Sequence, residues 1–343
     1  MRTVVLDARD AFAQPLRGWG RSVLGLVQHL PGALGDDLRL ELVREGGGPL
    51  EVLFEQVQLP RIARRAGADL VHAPNCFLPL RRSCRGVVTV HDLAFEAHPD
   101  DFARTTGLKY RAITRRAVHS ADAVICVSAW TAADVADRYG VPAEKLHVVH
   151  NAPSLPLTDG PAGLAAAGLR DDGRPYLLAV GDLRAKKNLA RLEAAHGALV
   201  ARGALEHRLI LAGTDTATRD HEPGRHGAET TGYLDDRALD ALMRGADLLV
   251  HPSLYEGFGL VLVEAMARGV PVACADATAL PETAGGAAEL FDPLDVEAIA
   301  DAILRALGRR DALVAAGRVV AAAHTWEATA RATAAVYRQV LDA

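Results

Sequence analysis

Short apolar runs recur along the chain, each bounded by polar or glycine residues and followed by a segment of helical periodicity. They are Thr3–Leu6, Leu38–Val43, Leu70–His72, Val87–Val90, Ala123–Val127, Leu146–Val149, Tyr176–Val180, Arg208–Leu211, Asp247–Val250 and Val270–Ala273. Most are continuous rather than alternating, which predicts parallel strands buried on both faces. Between them, Arg21–Leu30, Thr105–His119, Thr131–Tyr139, Leu189–Arg202, Asp235–Arg244 and Leu260–Arg268 read as helices. Strand and helix alternating along the whole chain predict an α/β protein with doubly wound sheets. The stretch Asn151–Arg174 breaks the pattern with Pro153, Pro156, Gly160, Pro161 and Gly173. Two sheets, one on each side of that linker, are therefore expected.

Composition narrows the class. Half of the 343 residues are apolar and 24% are charged, the balance of a globular protein. No apolar run reaches the ~18 residues of a spanning helix. The opening Met1–Asp7 lacks the longer apolar stretch of a signal peptide. Cys76, Cys84, Cys126 and Cys274 are scattered, with no C-x-x-C, which argues against a disulfide framework or a zinc site. A soluble, cytoplasmic protein is the expectation.

The net charge is −5, yet Phe54–His119 carries 11 Lys and Arg against 6 Asp and Glu. Three clusters make up this excess: Arg61, Arg64 and Arg65; Arg81, Arg82 and Arg85; and Lys109, Arg111, Arg115 and Arg116. They suit an anionic partner or a peripheral contact with a membrane surface, with a solvated helix face as the competing reading. Nucleic acid is disfavoured, because aromatics are only 5% and do not interleave with the basic residues.

Ligands of open α/β sheets bind beyond the carboxyl ends of strands. His72–Asn75, His91-Asp92, Ser128, Gly181-Asp182, Gly213-Thr214 and His251-Pro252-Ser253 occupy such positions. The sharpest constellation follows the last of them, where Glu256 and Glu264 stand eight positions apart across Gly257-Phe258-Gly259-Leu260. A helix beginning at Glu256 would put both on one face, and the glycines would let backbone N–H groups approach an anion. Glu264, in an otherwise apolar segment, must pair or bind something; ribose hydroxyls would suit it, and an arginine partner is the alternative. A second constellation, Gly181-Asp182-Leu183-Arg184-Ala185-Lys186-Lys187-Asn188-Leu189, brings two lysines to a helix start, where they could hold phosphate oxygens. A third, Arg17-Gly18-Trp19-Gly20-Arg21-Ser22, lacks the third glycine and the acidic residue of a dinucleotide site. No D-x-D and no H-E-x-x-H occurs, so no metal site is expected, and protein cations should stabilise any anionic leaving group.

Taken together, these residues resemble the retaining glycosyltransferases of family 4, which have the GT-B architecture. Glu256 and Glu264 match the E-x₇-E motif, and Gly181–Leu189 is similar to the G-x-L-x-x-R-K-N-L segment. His91-Asp92-Leu93-Ala94-Phe95 with His98-Pro99 resembles the HDLxF…HP segment, and Thr325-Trp326-Glu327 the start of the last helix. The resemblance implies two Rossmann-like domains facing across a cleft: an acceptor domain over 1–155, a nucleotide-sugar domain over 156–325, and a helix over 326–343 returning to the first domain. It implies a hexose moved from a nucleoside diphosphate sugar to a hydroxyl acceptor with retention and no metal cofactor. GDP-mannose is the first expected donor, and the acceptor is expected to be anionic or lipid-linked.

By position, the resemblance gives Glu264 the ribose. Glu256, with Gly257, Phe258, Gly259 and Leu260, faces the hexose and phosphate. Lys186 and Lys187 neutralise the departing diphosphate, Gly18 and Gly20 approach it, and His91 stands beside the sugar. Tyr233 and Leu234 belong to the segment whose backbone reads the base. His91, Lys187 and Glu256 would carry the catalysis. Lys186 stands where the family usually has Arg, exchanging a planar fork for a point charge. A GT-B phosphorylase or sugar-phosphate transferase, and a non-catalytic nucleotide-sugar binder, are the rival readings.

Overall fold

Twelve strands pair in parallel among the described residues, in two sheets of six. The computed structural model describes residues 1–13, 16, 18–48, 51–214 and 227–343. The chain falls into two units: Met1–Ser154 with His324–Ala343, and Leu155–Ala323.

The first unit runs β1 (Arg2–Asp7), α1 (Gly18–Leu34), β2 (Leu38–Val43), the short α2 (Glu51–Leu53) and α3 (Leu59–Arg65). It continues through β3 (Leu70–Ala73), β4 (Arg85–Val90), α4 (Ala94–Ala97), α5 (Arg104–Ser120), β5 (Ala123–Cys126), α6 (Ala129–Tyr139) and β6 (Leu146–Val148). Its strand order is β2-β1-β3-β4-β5-β6. Alternate strand residues enter two separate apolar clusters. Val5, Val71, Val88 and Val124 join Phe54, Leu59, Val118 and Val135, while Val4, Leu6, Leu70, Val87 and Ile125 join Leu30, Leu34, Ala334 and Tyr337. Burial on both faces is why the runs are continuous in the sequence.

The second unit runs β7 (Tyr176–Val180), α7 (Leu189–Ala201), β8 (Arg208–Ala212), β9 (Glu229–Gly232), α8 (Asp236–Gly245), β10 (Leu248–His251) and α9 (Leu260–Ala267). Then come β11 (Val272–Ala275), α10 (Leu280–Ala284), β12 (Ala288–Phe291), α11 (Val296–Gly308) and α12 (Arg310–Ala323). Its strand order is β12-β11-β10-β7-β8-β9, the doubly wound order whose direction reverses between β7 and β10.

The last helix, α13 (Trp326–Asp342), packs against α1 in the first unit. A Cβ on Gly25 would stand 2.4 Å from the Trp326 ring, so the helices meet where one has no side chain. Deeper in, Tyr337 Oη lies 2.6 Å from His72 Nδ1, and His72 Nε2 lies 2.8 Å from Thr89 Oγ1. This buried polar chain ties α13 to β3 and β4.

Three expectations need correction. The helix placed at Arg21–Leu30 spans Gly18–Leu34 and passes through Pro31, which has no N–H to donate to the Val27 carbonyl one turn back, so the helix continues for three residues past a missing bond. The strand placed at Val270–Ala273 is Val272–Ala275; Pro271 cannot donate to the ladder, and only its carbonyl accepts, from Leu249 N–H. Strands β9 and β12 escaped the apolar-run criterion because both are edge strands with partly exposed residues. All four cysteines are free. Among the described residues no helix is long and apolar enough to cross a membrane.

Candidate active site

The reversal between β7 and β10 opens a gap at the carboxyl ends of those strands. The chain fills it with the turn after β7 and the turn after β10. Gly213, just past β8, permits the first of these, since a Cβ there would stand 1.9 Å from the Gly181 carbonyl oxygen. A 3₁₀ turn, Ala185–Lys187, then presents both lysines and ends at Asn188 with φ 57°. From that left-handed position the Asn188 amide donates to the carbonyls of Pro252 (3.1 Å) and Pro293 (2.7 Å). The lysine turn is thereby pinned to the loop following β10.

Across this staple, Lys187 Nζ forms an ion pair with Glu256 Oε1. His251 Nε2, at the end of β10, lies 3.0 Å from the same oxygen, and Ser253 Oγ lies 3.1 Å from that nitrogen. Burial alone would raise the Glu256 carboxyl, but Lys187, Lys186 and the His251 hydrogen bond hold it well below the usual carboxylate range. Burial, with both lysines nearby, lowers the His251 ring. Lys186 is buried, with Nζ 5.9 Å above the Tyr255 ring, and its carbonyl accepts Leu254 N–H at 2.8 Å.

Glu256 does not sit on the helix that carries Glu264. Helix α9 begins at Leu260, after Gly259 at φ +94°, so the condition for a shared helix face, a start at Glu256, is not met. Glu256 lies in the preceding turn, where its N–H donates to Thr278 Oγ1 (3.0 Å), and Thr278 itself holds φ 53°. The Phe258 carbonyl accepts the Thr283 hydroxyl, and a Cβ on Gly259 would stand 2.7 Å from Leu280. Gly257 is buried and Leu260 half-buried.

Glu264 is 7% exposed, and its Oε1 accepts the N–H of Leu155 at 3.0 Å. Arg268, one turn on, donates to the carbonyls of Glu264 (2.8 Å) and Leu155 (2.8 Å) and to the buried Asp240 carboxylate (2.8 Å). The arginine at this site thus serves Asp240 and backbone oxygens. Tyr233 is 56% exposed just past β9, and Leu234 packs on the unit's core.

The remaining candidates belong to the first unit. Gly18 and Gly20 lie in the first turn of α1 rather than in a loop; Arg17 lies outside the described residues. A Cβ on Gly20 would stand 2.4 Å from the Asp10 carbonyl oxygen, so packing there requires glycine, whereas Gly18 faces open space. His91 stacks on Trp19 at 6.0 Å and lies 2.8 Å from the Pro74 carbonyl through Nε2, and burial lowers its ring.

The basic clusters divide. Arg82 and Arg85 pair with Asp122, Lys109 with Glu51, and Arg111 with Glu96. Arg104, Leu108, Ala112, Arg115, Arg116 and His119 are all exposed at helical spacing, forming one face of α5. Part of that face lines an open depression of about 660 Å³ together with Leu80. Among the described residues no three His, Cys, Asp or Glu side chains gather as metal ligands would.

Sequence reasoning named His251 and Ser253 only as strand-end positions, and no spacing ties them to Glu256. Thr278 has no signal at all, because its role depends on a backbone conformation unusual for threonine.

The family model for glycosyl transferases group 1 matches residues 174–309, and that for glycosyltransferase family 4 matches residues 13–153. O-antigen chain mannosyltransferase B of Escherichia coli is 31% identical over 286 residues, covering 78% of this chain and 74% of that one. The chain is a family 4 glycosyltransferase. The MMP α-(1→4)-mannosyltransferase of Mycolicibacterium hassiacum is 37% identical over 119 residues, 33% of this chain and 29% of that one. In fold, the glycosyltransferase is similar to sucrose-phosphate synthase from Thermosynechococcus elongatus (TM-score 0.76, 23% identity, 100% of both chains). It is similar also to Anabaena HepE in complex with UDP and glucose (TM-score 0.69, 21% identity, 99% of this chain and 100% of that one). Its architecture is accordingly GT-B.

Proposed function

We propose that this glycosyltransferase moves mannose from GDP-mannose to a hydroxyl acceptor with retention and without a metal cofactor. The convergence of Lys187 and Glu256 at the β7–β10 reversal carries the reading. Lys187, with Lys186 behind it, takes the charge that grows on the diphosphate as the glycosidic bond breaks. Glu256 and the backbone of Gly257–Leu260 face the hexose, Glu264 holds the ribose, and the turn at Tyr233 and Leu234 reads the base. His91, Gly18 and Gly20 keep the donor contacts that the resemblance assigns to them. The departing phosphate takes the acceptor's proton on the same face of the sugar, which retains the anomeric configuration. Mannose is favoured because relatives from two bacteria carry mannosyltransferase names. The exposed basic face of α5 is proposed as the landing place of an anionic or lipid-linked acceptor, or of the membrane that holds it.

A thermal-shift series with UDP-, GDP-, ADP- and dTDP-sugars tests the donor. GDP-mannose at 100 times its Kd should stabilise the fold by about 2.7 kcal/mol. A shift with UDP-sugars alone would move the base assignment, and a flat series would remove the donor reading. Turnover should persist in EDTA; activity lost on chelation and restored by Mn²⁺ would overturn the metal-free mechanism.

A further inference from the structure

Two donors converge on one oxygen of Glu256. Lys187 Nζ and His251 Nε2 both reach Oε1, while Oε2 meets no donor among the described residues. The carboxyl is ionised and can only accept, so His251 Nε2 must carry its hydrogen and donate it. The ring is 2% exposed and ends β10, with His251 in register against Cys274 of β11. It has little room to turn. Lys187, by contrast, reaches Glu256 through a long, flexible side chain.

The two partners fare differently when an anionic donor arrives. Growing charge on a diphosphate draws the Lys187 ammonium toward it. A largely buried carboxylate that loses its cation must keep another hydrogen bond, swing away or take up a proton. We propose that His251 is the positioning residue that keeps Glu256 Oε1 in place when Lys187 turns to the diphosphate, leaving Oε2 aimed at the donor sugar. This rests on the reading of Glu256 as the residue that faces the hexose.

The test compares the affinity for a nucleotide sugar with that for its nucleotide alone, by calorimetry. The pairs are UDP-glucose and UDP, GDP-mannose and GDP, ADP-glucose and ADP, and dTDP-glucose and dTDP. The pair that wild-type protein binds best is used throughout. Glu256→Gln should reduce the sugar's advantage. His251→Leu should reduce it by about 10-fold or more, the scale of a lost hydrogen bond to a charged group, with the nucleotide's own affinity unchanged. His251→Gln, which restores an N–H at similar reach, should recover most of the loss. Should His251→Leu fail to fold, His251→Asn, polar but too short to reach Oε1, makes the same comparison.

An unchanged advantage in His251→Leu, with the loss present in Glu256→Gln, overturns the role of His251 alone. Equal losses for the sugar and the bare nucleotide, or no recovery with glutamine, overturn it as well. An unchanged advantage in Glu256→Gln, or no binding of any pair, overturns the underlying reading of the site.

Discussion

Lys187 and Glu256 stand 69 positions apart in the chain and share an ion pair at the point where the second sheet reverses its strand order. The asparagine staple of Asn188 to the loop after β10 brings them together. Lys187→Ala should lower kcat by about 10²–10³-fold, the scale of removing one donor to a developing oxyanion. Glu256→Gln should also act on kcat while the bare nucleotide still binds. Full activity in Lys187→Ala would reduce the pair to an ordinary ion pair.

Glu264 is expected to behave differently. Its carboxylate already accepts the Leu155 N–H, and a glutamine oxygen can keep that bond while losing the charge. Contacts with a ribose, remote from the breaking bond, are the same in ground and transition states. Glu264→Gln should therefore raise the donor KM and leave kcat nearly unchanged. Michaelis curves with the donor varied would decide it. A fall in kcat at unchanged KM would place Glu264 at the reacting centre instead.

Much of this was legible in the chain, and the reasons are physical. Strands buried on both faces, such as Val87–Val90 and Tyr176–Val180, leave unbroken apolar runs, so the doubly wound class is readable. The edge strand Glu229–Gly232 leaves none, because among the described residues one side of it has no neighbouring strand. The pair Lys187 and Glu256 is marked by motif, but its contact with His251 depends on how two turns are pinned together. The charge count between Phe54 and His119 overstated the exposed positive surface. Lys109, Arg111, Arg82 and Arg85 spend their charge on acids that tertiary packing brings near.

What remains of that surface is testable. Arg115 and Arg116 share the exposed face of α5 with Leu108, 56% exposed, and meet no carboxylate among the described residues. Reversing both to Glu should raise the acceptor KM and leave the donor KM unchanged. The effect should shrink as salt rises, because exposed charges are screened within about 8–10 Å at 0.1–0.15 M. An acceptor KM that ignores both the reversal and salt would return the face to ordinary solvated surface.

Two buried groups in the first unit set opposite pH slopes. Burial lowers His72 to about 3 from its ordinary 6.5, with His91 adding to the effect. Between those values the unfolded chain binds a proton that the folded one does not, so stability is lost as pH falls below 6.5. Burial pushes Glu55 up to about 8 from 4.5; Glu51 and Asp7 add to the rise, and Arg9 and Lys109 oppose it. Its Oε2 has no hydrogen-bond partner among the described residues, as suits a carboxyl that keeps its proton. Here the unfolded chain releases a proton that the folded one retains, so stability is lost as pH rises from 4.5 toward 8. Each group can contribute up to about 1.4 kcal/mol per pH unit inside its window. The two slopes oppose one another between 4.5 and 6.5, and above 6.5 only that of Glu55 remains. Melting temperatures of the wild type should therefore fall between pH 6.5 and 8. Glu55→Gln, neutral at every pH and nearly the same shape, should flatten that limb and leave the acid limb set by His72 in place. If Glu55→Gln declines as steeply as the wild type over that range, the carboxyl is ionised in the fold, and Arg9 rather than a retained proton neutralises it.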